Sequence, residues 1–393
     1  MDKICFVVQR YGLEVNGGSE LYCRLMAEKL SEFYQVEVFT TCAMDYVTWK
    51  NEYTAGVEEI NGVIVRRFPS SRERKMDSFA AISQKVFQDP AHSDEDELEW
   101  IREQGPVCDT LLDELRQVHK EYKVVIFMTY LYYLAAMGLP LKMENTILIP
   151  TLHDEPPAHL RHYQKVFESA KGMIWNAPAE KRFAERQFCN IENTEGVMAG
   201  IGIDIPSGDL PDLPDSLKEE EYIVYAGRID ESKGCKKMFN DFCAYRREYK
   251  RNIKLAVMGK EVIMVPKDDS IVYLGFVTDE EKLSVIKNAK ALVLFSEFES
   301  LSMVVLESMI MGRPVLVNGR CEVLKDHCTY SNAGFYFYNY REFAEELEYL
   351  YMHDKEYQLM CSNGKDYVRK NYQWDVIIQR IQGLIERVAV QKQ

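Results

Sequence analysis

The sequence predicts an α/β protein made of two doubly wound parallel sheets in separate domains. Three observations predict it. Short β-branched and aromatic runs alternate with helically spaced segments along most of the 393 residues, which is the pattern of βαβ units. The runs fall into two groups, each about sufficient for one doubly wound sheet. Between the groups lies a Gly- and Pro-rich, helix-poor stretch from Gly200 to Pro214, which reads as a linker.

In chain order, the first group of strand candidates is Ile4–Gln9, Gln35–Thr41, Val63–Phe68, Lys123–Thr129, Thr146–Leu152 and Gly172–Asn176. The helix Ser19–Leu30 follows the first of them after a double glycine. Residues 70–120 break the rhythm. A basic patch, Arg72 to Lys75, precedes an acidic stretch, Asp94 to Glu99, and then helical spacing from Leu111 to Tyr122. This segment reads as a helical insert on the first domain, with charge runs that are solvated faces. The second group is Tyr222–Ala226, Lys254–Met258, Ile271–Leu274, Ala291–Phe295, Pro314–Val317 and Gly334–Tyr338. A last helix is headed by Trp374. The domain boundaries expected are 1–200, 201–373 and, for the last helix, 374–393. No repeat of fixed period appears.

Composition excludes several classes. With 47% apolar and 28% charged residues the chain has the mix of a globular protein, not a disordered or low-complexity one. The net charge of −14 repels phosphate backbones, so no nucleic-acid partner is expected. No apolar run approaches the roughly 20 residues of a membrane span. Ten scattered cysteines without a CxxC pair point to reduced thiols, a cytoplasmic setting and no zinc site.

Four places carry chemistry. Arg228 and Lys233 lie in the loop after the strand Tyr222–Ala226 and Gly227, ahead of a helix. Strand carboxyl ends are where open α/β sheets bind ligands, and two cations beside a helix N-terminus make an anion site. They are equally readable as two surface cations. Glu299 and Glu307 follow the strand Ala291–Phe295, with Ser300 or Ser302 as N-cap of a helix. Read as one helix, their spacing gives a rise of about 12 Å, too far for a glycosidase pair at roughly 5–9.5 Å. It suits the two ends of a long ligand such as a nucleotide sugar, with the amides of Ser300, Leu301, Ser302 and Met303 facing a diphosphate. A capping Glu plus an exposed Glu is the plain alternative. Gly17 and Gly18 allow either close backbone approach to a ligand or a simple tight turn. His153 ends a strand, where it is a cleft residue tuned by Asp154 or a structural histidine.

Gly17-Gly18, His153-Asp154, Gly227-Arg228 with Lys233, and Glu299 with Glu307 come in the order of the GT-B retaining glycosyltransferases of family 4, which the chain resembles over nearly its whole length. The loop from Gly275 and Phe276 to Glu281 looks like the family's loop near the nucleobase. The Trp374 helix looks like the crossover helix returning to the first domain. Gln104–Pro106, Thr129–Tyr133 and His153–Pro157 resemble a bacterial subgroup of surface-polysaccharide enzymes. The resemblance implies two Rossmann-like domains facing a cleft, acceptor on the first and donor on the second. It implies that Arg228 and Lys233 neutralise the leaving diphosphate, Glu307 binds ribose, and Glu299 and His153 contact the donor sugar. Gly17, Gly18, Gly227, Gly275 and Phe276 would line the donor. Tyr130, Asp154 and Arg72 are acceptor-side candidates. The common family pattern places Gly-Phe-Gly after the first Glu, and Ser300-Leu301-Ser302 replaces it here.

The expected activity is retaining transfer from a nucleotide-diphosphate sugar to a glycan or lipid-linked acceptor, with no cofactor and no metal, since Arg and Lys do the ion's work. Arg66, Arg67, Arg72 and Lys75 are either a solvated loop or a patch for a carrier phosphate or the inner membrane face. A sugar-nucleotide epimerase on the same fold, or a non-catalytic nucleotide- or glycan-binding protein, stays open. A dehydrogenase lacks its phosphate-loop fingerprint in both halves.

Overall fold

A computed structural model describes residues 1–15, 17–204 and 208–390. The chain divides into two compact units, the first comprising Met1–Ile201 with Ile377–Gln393 and the second Gly202–Val376.

The first unit holds strands β1 (Lys3–Val7), β2 (Gln35–Thr41), β3 (Gly56–Ile60), β4 (Val63–Phe68), β5 (Val124–Met128), β6 (Thr146–Ile149), β7 (Gly172–Trp175) and β8 (Glu195–Met198). Its helices are α1 (Gly18–Leu30), α2 (Met76–Gln88), α3 (Asp94–Gln104), α4 (Asp109–Val118), α5 (Tyr133–Gly138), α6 (His162–Ser169) and α7 (Pro178–Gln187). The sheet order is β3-β4-β2-β1-β5-β6-β7-β8, with β3 antiparallel to β4 and every other neighbour parallel. The central strands are buried along most of their length, because helices cover both faces of a parallel sheet.

Two of these strands escaped the sequence reading. β3, Gly-Val-Glu-Glu-Ile, is almost wholly exposed and so lacks an apolar face. Its link to β4 is Asn61-Gly62, both at positive φ (50° and 80°), the two-residue turn that suits a hairpin. β8 is a four-residue, half-exposed edge. The expected insert is α2 with α3. Trp100 locks the two together, its ring 5.4 Å from Phe87 and its indole N–H donating to Ser83 at 2.9 Å. The third helix of that stretch, α4, is a crossover helix of the sheet itself, with Leu111, Leu112 and Leu115 in the core.

The second unit holds β9 (Tyr222–Ala226), β10 (Lys254–Met258), β11 (Ile271–Gly275), β12 (Leu292–Leu294), β13 (Val315–Asn318) and β14 (Gly334–Phe337). Its helices are α8 (Cys235–Tyr249), α9 (Asp279–Asn288), α10 (Met303–Ile310), α11 (Glu322–Ser331), α12 (Tyr340–Met352) and α13 (Asp354–Asn371). The order β11-β10-β9-β12-β13-β14 is parallel throughout. Helix α14 (Trp374–Val390) starts in this unit and gives residues from Ile377 onward to the first. There Leu384 and Val388 fill the space beside Gly172 on β7, and Arg380 donates to the Met198 carbonyl at 3.0 Å. Part of the expected linker, residues 205–207, lies outside the described residues. All ten cysteines are free thiols. Among the described residues no helix is long and apolar enough to cross a membrane.

In both sheets the chain reverses its direction of winding once, between β1 and β5 in the first unit and between β9 and β12 in the second. The crevice beyond the carboxyl ends of such strands is where this architecture binds ligands.

Candidate functional site

In the second unit the loops leaving β9 and β12 meet. Lys233, after β9, donates from Nζ to Glu299, after β12, at 2.7 Å. The ion pair therefore spans the point where the winding reverses. Lys233 is held by its own loop. Asp230 accepts the Lys233 backbone N–H at 2.9 Å and the Ser232 hydroxyl at 2.6 Å, and it pairs with the Arg228 guanidinium. Burial pushes the Asp230 carboxyl up, but these three donors outweigh it and keep its pKa below the usual carboxylate value. The sequence reading passed over Asp230, although Asp-x-Ser-Lys is a side-chain-to-backbone turn signal. Gly234 ends the loop at φ 70°, and a Cβ there would lie 2.4 Å from the Phe295 carbonyl of the β12 loop. Only glycine lets the two loops come this close.

The structure corrects the expected helix from Glu299 to Glu307. Helix α10 begins at Met303, and Ser302 precedes it at φ 65°, ψ 76° with no side-chain cap. Glu299 thus sits on the loop, so the 12 Å helical rise does not separate the pair. Each carboxylate has its own cation. Glu307 accepts from Lys282 of α9 at 2.9 Å. Leu301 is buried, and its carbonyl accepts from the Nε2 of buried His327 at 2.7 Å. Burial lowers the His327 pKa, which favours an uncharged ring at this turn. Ser300 and Met303 are half-buried at either side of this turn. The first amides of α10 lack intrahelical partners by helix geometry and carry its positive end. Gly227 (φ 154°) and Gly275 (φ 72°) close β9 and β11, and Phe276 beyond them is 83% exposed. A cavity of about 620 Å³ opens elsewhere in this unit, lined by Phe335, Tyr336, Tyr338, Glu342 and Glu346 among others. It shares no residue with the loops just described.

In the first unit the loop after β1 carries a buried ion pair. Glu20, in the first turn of α1, accepts from Arg10 at 2.7 and 2.9 Å and from Gln9 at 2.9 Å. Gly17 is glycine because this pair occupies its side-chain space: a Cβ would stand 2.0 Å from the Glu20 carboxylate. A Cβ at Gly18 would meet nothing within 4 Å. Arg10 drew no attention in the sequence, and Glu20 entered only as the end of the Gly17-Gly18-Ser-Glu20 motif, with no role assigned.

His153 follows β6, and its partner is not Asp154. Nε2 pairs with Glu155 at 3.3 Å, while Asp154 is bound to His159 at 2.7 Å. Tyr130, expected to face an acceptor, is fully buried, and its hydroxyl donates to Glu155 at 2.7 Å. Glu180, in the first turn of α7, accepts the Leu152 backbone N–H at 2.7 Å and that of Asn176 at 2.5 Å, joining the ends of β6 and β7. Burial raises its pKa to about 8 against these amides and His153. Thr129 and Thr151, at the ends of β5 and β6, both adopt positive φ (58° and 51°) with their hydroxyls 2.8 Å apart. For β-branched residues this is a strained conformation.

The arginines of the basic patch all have partners within the fold. Arg66 pairs with Glu37 at 2.8 Å. Arg67 is buried and donates to Glu58 and the Tyr11 carbonyl. Arg72 faces Glu99 and Glu103 of α3. Arg74 lies over Trp49 with its donors on backbone carbonyls. Arg72 and Arg74 tie down the insert, Arg66 and Arg67 are paired within the sheet, and Lys75 is exposed.

Residues 220–353 match the family described as Glycosyl transferases group 1. That span contains the whole Lys233–Glu299 crevice. At full length the chain is similar to the sucrose-phosphate synthase of Thermosynechococcus elongatus, with a TM-score of 0.67 at 15% identity over 99% of each chain. It is similar to Anabaena HepE in complex with UDP-glucose, at 0.65 and 14% over 99% of each. A third likeness is to the lipopolysaccharide outer core galactosyltransferase WaaB, at 0.61 and 14% over 98% of this chain and 99% of that one. At such identities the likeness is one of fold: the chain has the GT-B architecture of two Rossmann-like units.

Proposed function

We propose that this protein is a retaining glycosyltransferase of the family 4 type, moving a sugar from a nucleotide-diphosphate sugar to a glycan or lipid-linked acceptor in surface-polysaccharide synthesis. The observation that carries the reading is the Lys233–Glu299 pair across the winding reversal, inside the span that matches Glycosyl transferases group 1. Without ligand, Lys233 and Glu299 satisfy each other. When a donor binds, its diphosphate takes over Lys233, and Glu299 is freed to accept hydrogen bonds from sugar hydroxyls. Arg228, half-exposed on the same loop, adds a second cation. Glu307 exchanges Lys282 for ribose hydroxyls.

Breaking the sugar–phosphate bond builds negative charge on the phosphate and positive charge on the ring. Arg228, Lys233 and the first amides of α10 are fixed charges aimed at the phosphate, and they stabilise that separation electrostatically. The leaving phosphate takes the acceptor proton, so no dedicated base is required. No metal takes part, and activity should persist in EDTA. The work is done in the cytoplasm.

The test is a thermal-shift panel of UDP, GDP, ADP, CMP and TDP with matching nucleotide sugars. A ligand at 100 times its dissociation constant adds about 2.7 kcal/mol to the native state. One nucleotide family should raise the melting temperature, and Glu307→Ala should abolish the rise. No rise with any of them removes the donor reading.

A further inference from the structure

The first unit carries a chain of polar groups, Tyr130–Glu155–His153, whose middle member has no part in the expected family roles. Tyr130 is buried among Tyr163 and Phe167, with ring centroids at 4.8 and 6.0 Å. Its hydroxyl donates to one oxygen of Glu155 at 2.7 Å, and the other oxygen stands 3.3 Å from His153 Nε2. Asp154, the nearer acid in sequence, is turned to His159. The platform beneath is the strained Thr129–Thr151 pair, one residue before Tyr130 and two before His153. Glu180 anchors the Leu152 amide between them. Backbone strain of this kind persists only where the surroundings over-determine it, and it concentrates at working sites.

We propose that Glu155 is the positioning residue for His153, braced by Tyr130 so that the imidazole keeps one orientation and one tautomer, with its proton on Nε2. The proposal rests on the reading of His153 as a donor-contacting residue. A ring on a loop rotates freely unless a partner fixes it, and a misplacement of 1 Å at a reacting centre is worth about 100-fold in rate. A carboxylate held from behind by a buried tyrosine cannot swing away with the ring. The ionisable groups around the imidazole are Glu155 and Glu180, with Tyr130 and Tyr163 packed behind Glu155. Burial disfavours the imidazolium, but the Glu155 bond and charge, helped by a hydrogen bond to the Thr151 backbone, outweigh it and hold the His153 pKa above the ordinary histidine value.

The experiment is a long-range proton–nitrogen NMR titration of the histidine rings in the whole protein, with His153→Gln assigning the signal. In the unmodified protein, above its titration midpoint, His153 should carry its proton on Nε2. An Nδ1-protonated ring overturns the proposal, and this arm needs no variant of Glu155. In Glu155→Gln the His153 midpoint should move to lower pH while the other six rings keep theirs. An unmoved midpoint also overturns it. In a transfer assay Glu155→Gln should lower kcat roughly 10–100-fold, with the acid limb of its pH profile following the NMR midpoint. If the protein transfers sugar from no nucleotide sugar, the functional reading fails, and the NMR arms still decide the role of Glu155.

Discussion

Lys233 and Glu299 lie 66 positions apart, and each is the other's partner. Their substitutions should therefore act differently from that of Arg228, which is half-exposed and bonded within its own loop. Under the proposed chemistry, Arg228→Ala should lower kcat by about 10²–10³ with only a small fall in melting temperature, because Asp230 keeps the Ser232 hydroxyl and the Lys233 backbone N–H as donors. Equal activity in that variant removes Arg228 from the mechanism. Lys233→Ala should lower kcat comparably, and it should also lower stability, because Glu299 is left half-buried without its cation. Ser302 offers a test independent of activity. A non-glycine residue at φ 65° costs about 1–2 kcal/mol, so Ser302→Gly should raise the melting temperature and Ser302→Val should lower it. A fall with glycine would mean that the serine side chain holds the turn.

At the scale of elements, what the sequence reveals depends on burial. Strands covered on both faces are continuous apolar runs, so β1, β2, β5, β9 and β10 are visible at once. β3 is not, because Glu58 and Glu59 face water on an edge, and only its Asn61-Gly62 turn betrays it. The candidate site shows the same division. Arg228, Lys233 and Glu299 stand out because they sit in the loops where strands end, and Glu307 because of its spacing from Glu299. Lys282, His327, Glu155 and Glu180 do not, because each matters through a partner that folding brings from another segment, whereas Asp230 acts within its own loop and left a local turn signal. The expected insert depends on one residue more than any other. Trp100→Ala should cost about 3–5 kcal/mol and release α2 from α3. Limited proteolysis should then cut between residues 76 and 104 while the β-sheet fragment persists. Protection equal to the parent's would show that α2 is held by the arginine contacts alone.

For the molecule as a whole, two buried carboxyls bend the pH dependence of stability. Burial, together with the nearby Glu342, raises the Glu346 pKa to about 8, and burial raises that of Glu180 to the same region. Both lie above the ordinary glutamate value, so the folded state holds protons that the unfolded state has lost. Their contribution is complete below about pH 4.5 and drains away as pH rises towards 8. Glu346 lies outside the candidate crevice, which makes it the clean probe. Glu346→Gln should match the parent near pH 5 and exceed it in melting temperature near pH 8. Parallel curves for the two proteins would place the Glu346 titration elsewhere.

Helix α14 gives this architecture a schedule. Residues 1–201 leave the ribosome first, yet their sheet lacks Leu384 and Val388 against Gly172 and the Arg380 bond to Met198. Those pieces emerge only after the whole second unit has been made. At about 5–20 residues per second the wait is on the order of ten seconds or more. Through that interval the newborn front half carries an uncovered apolar seam at β7, while the later half is already able to close. The half that begins first is finished last, and a chaperone would find its target there.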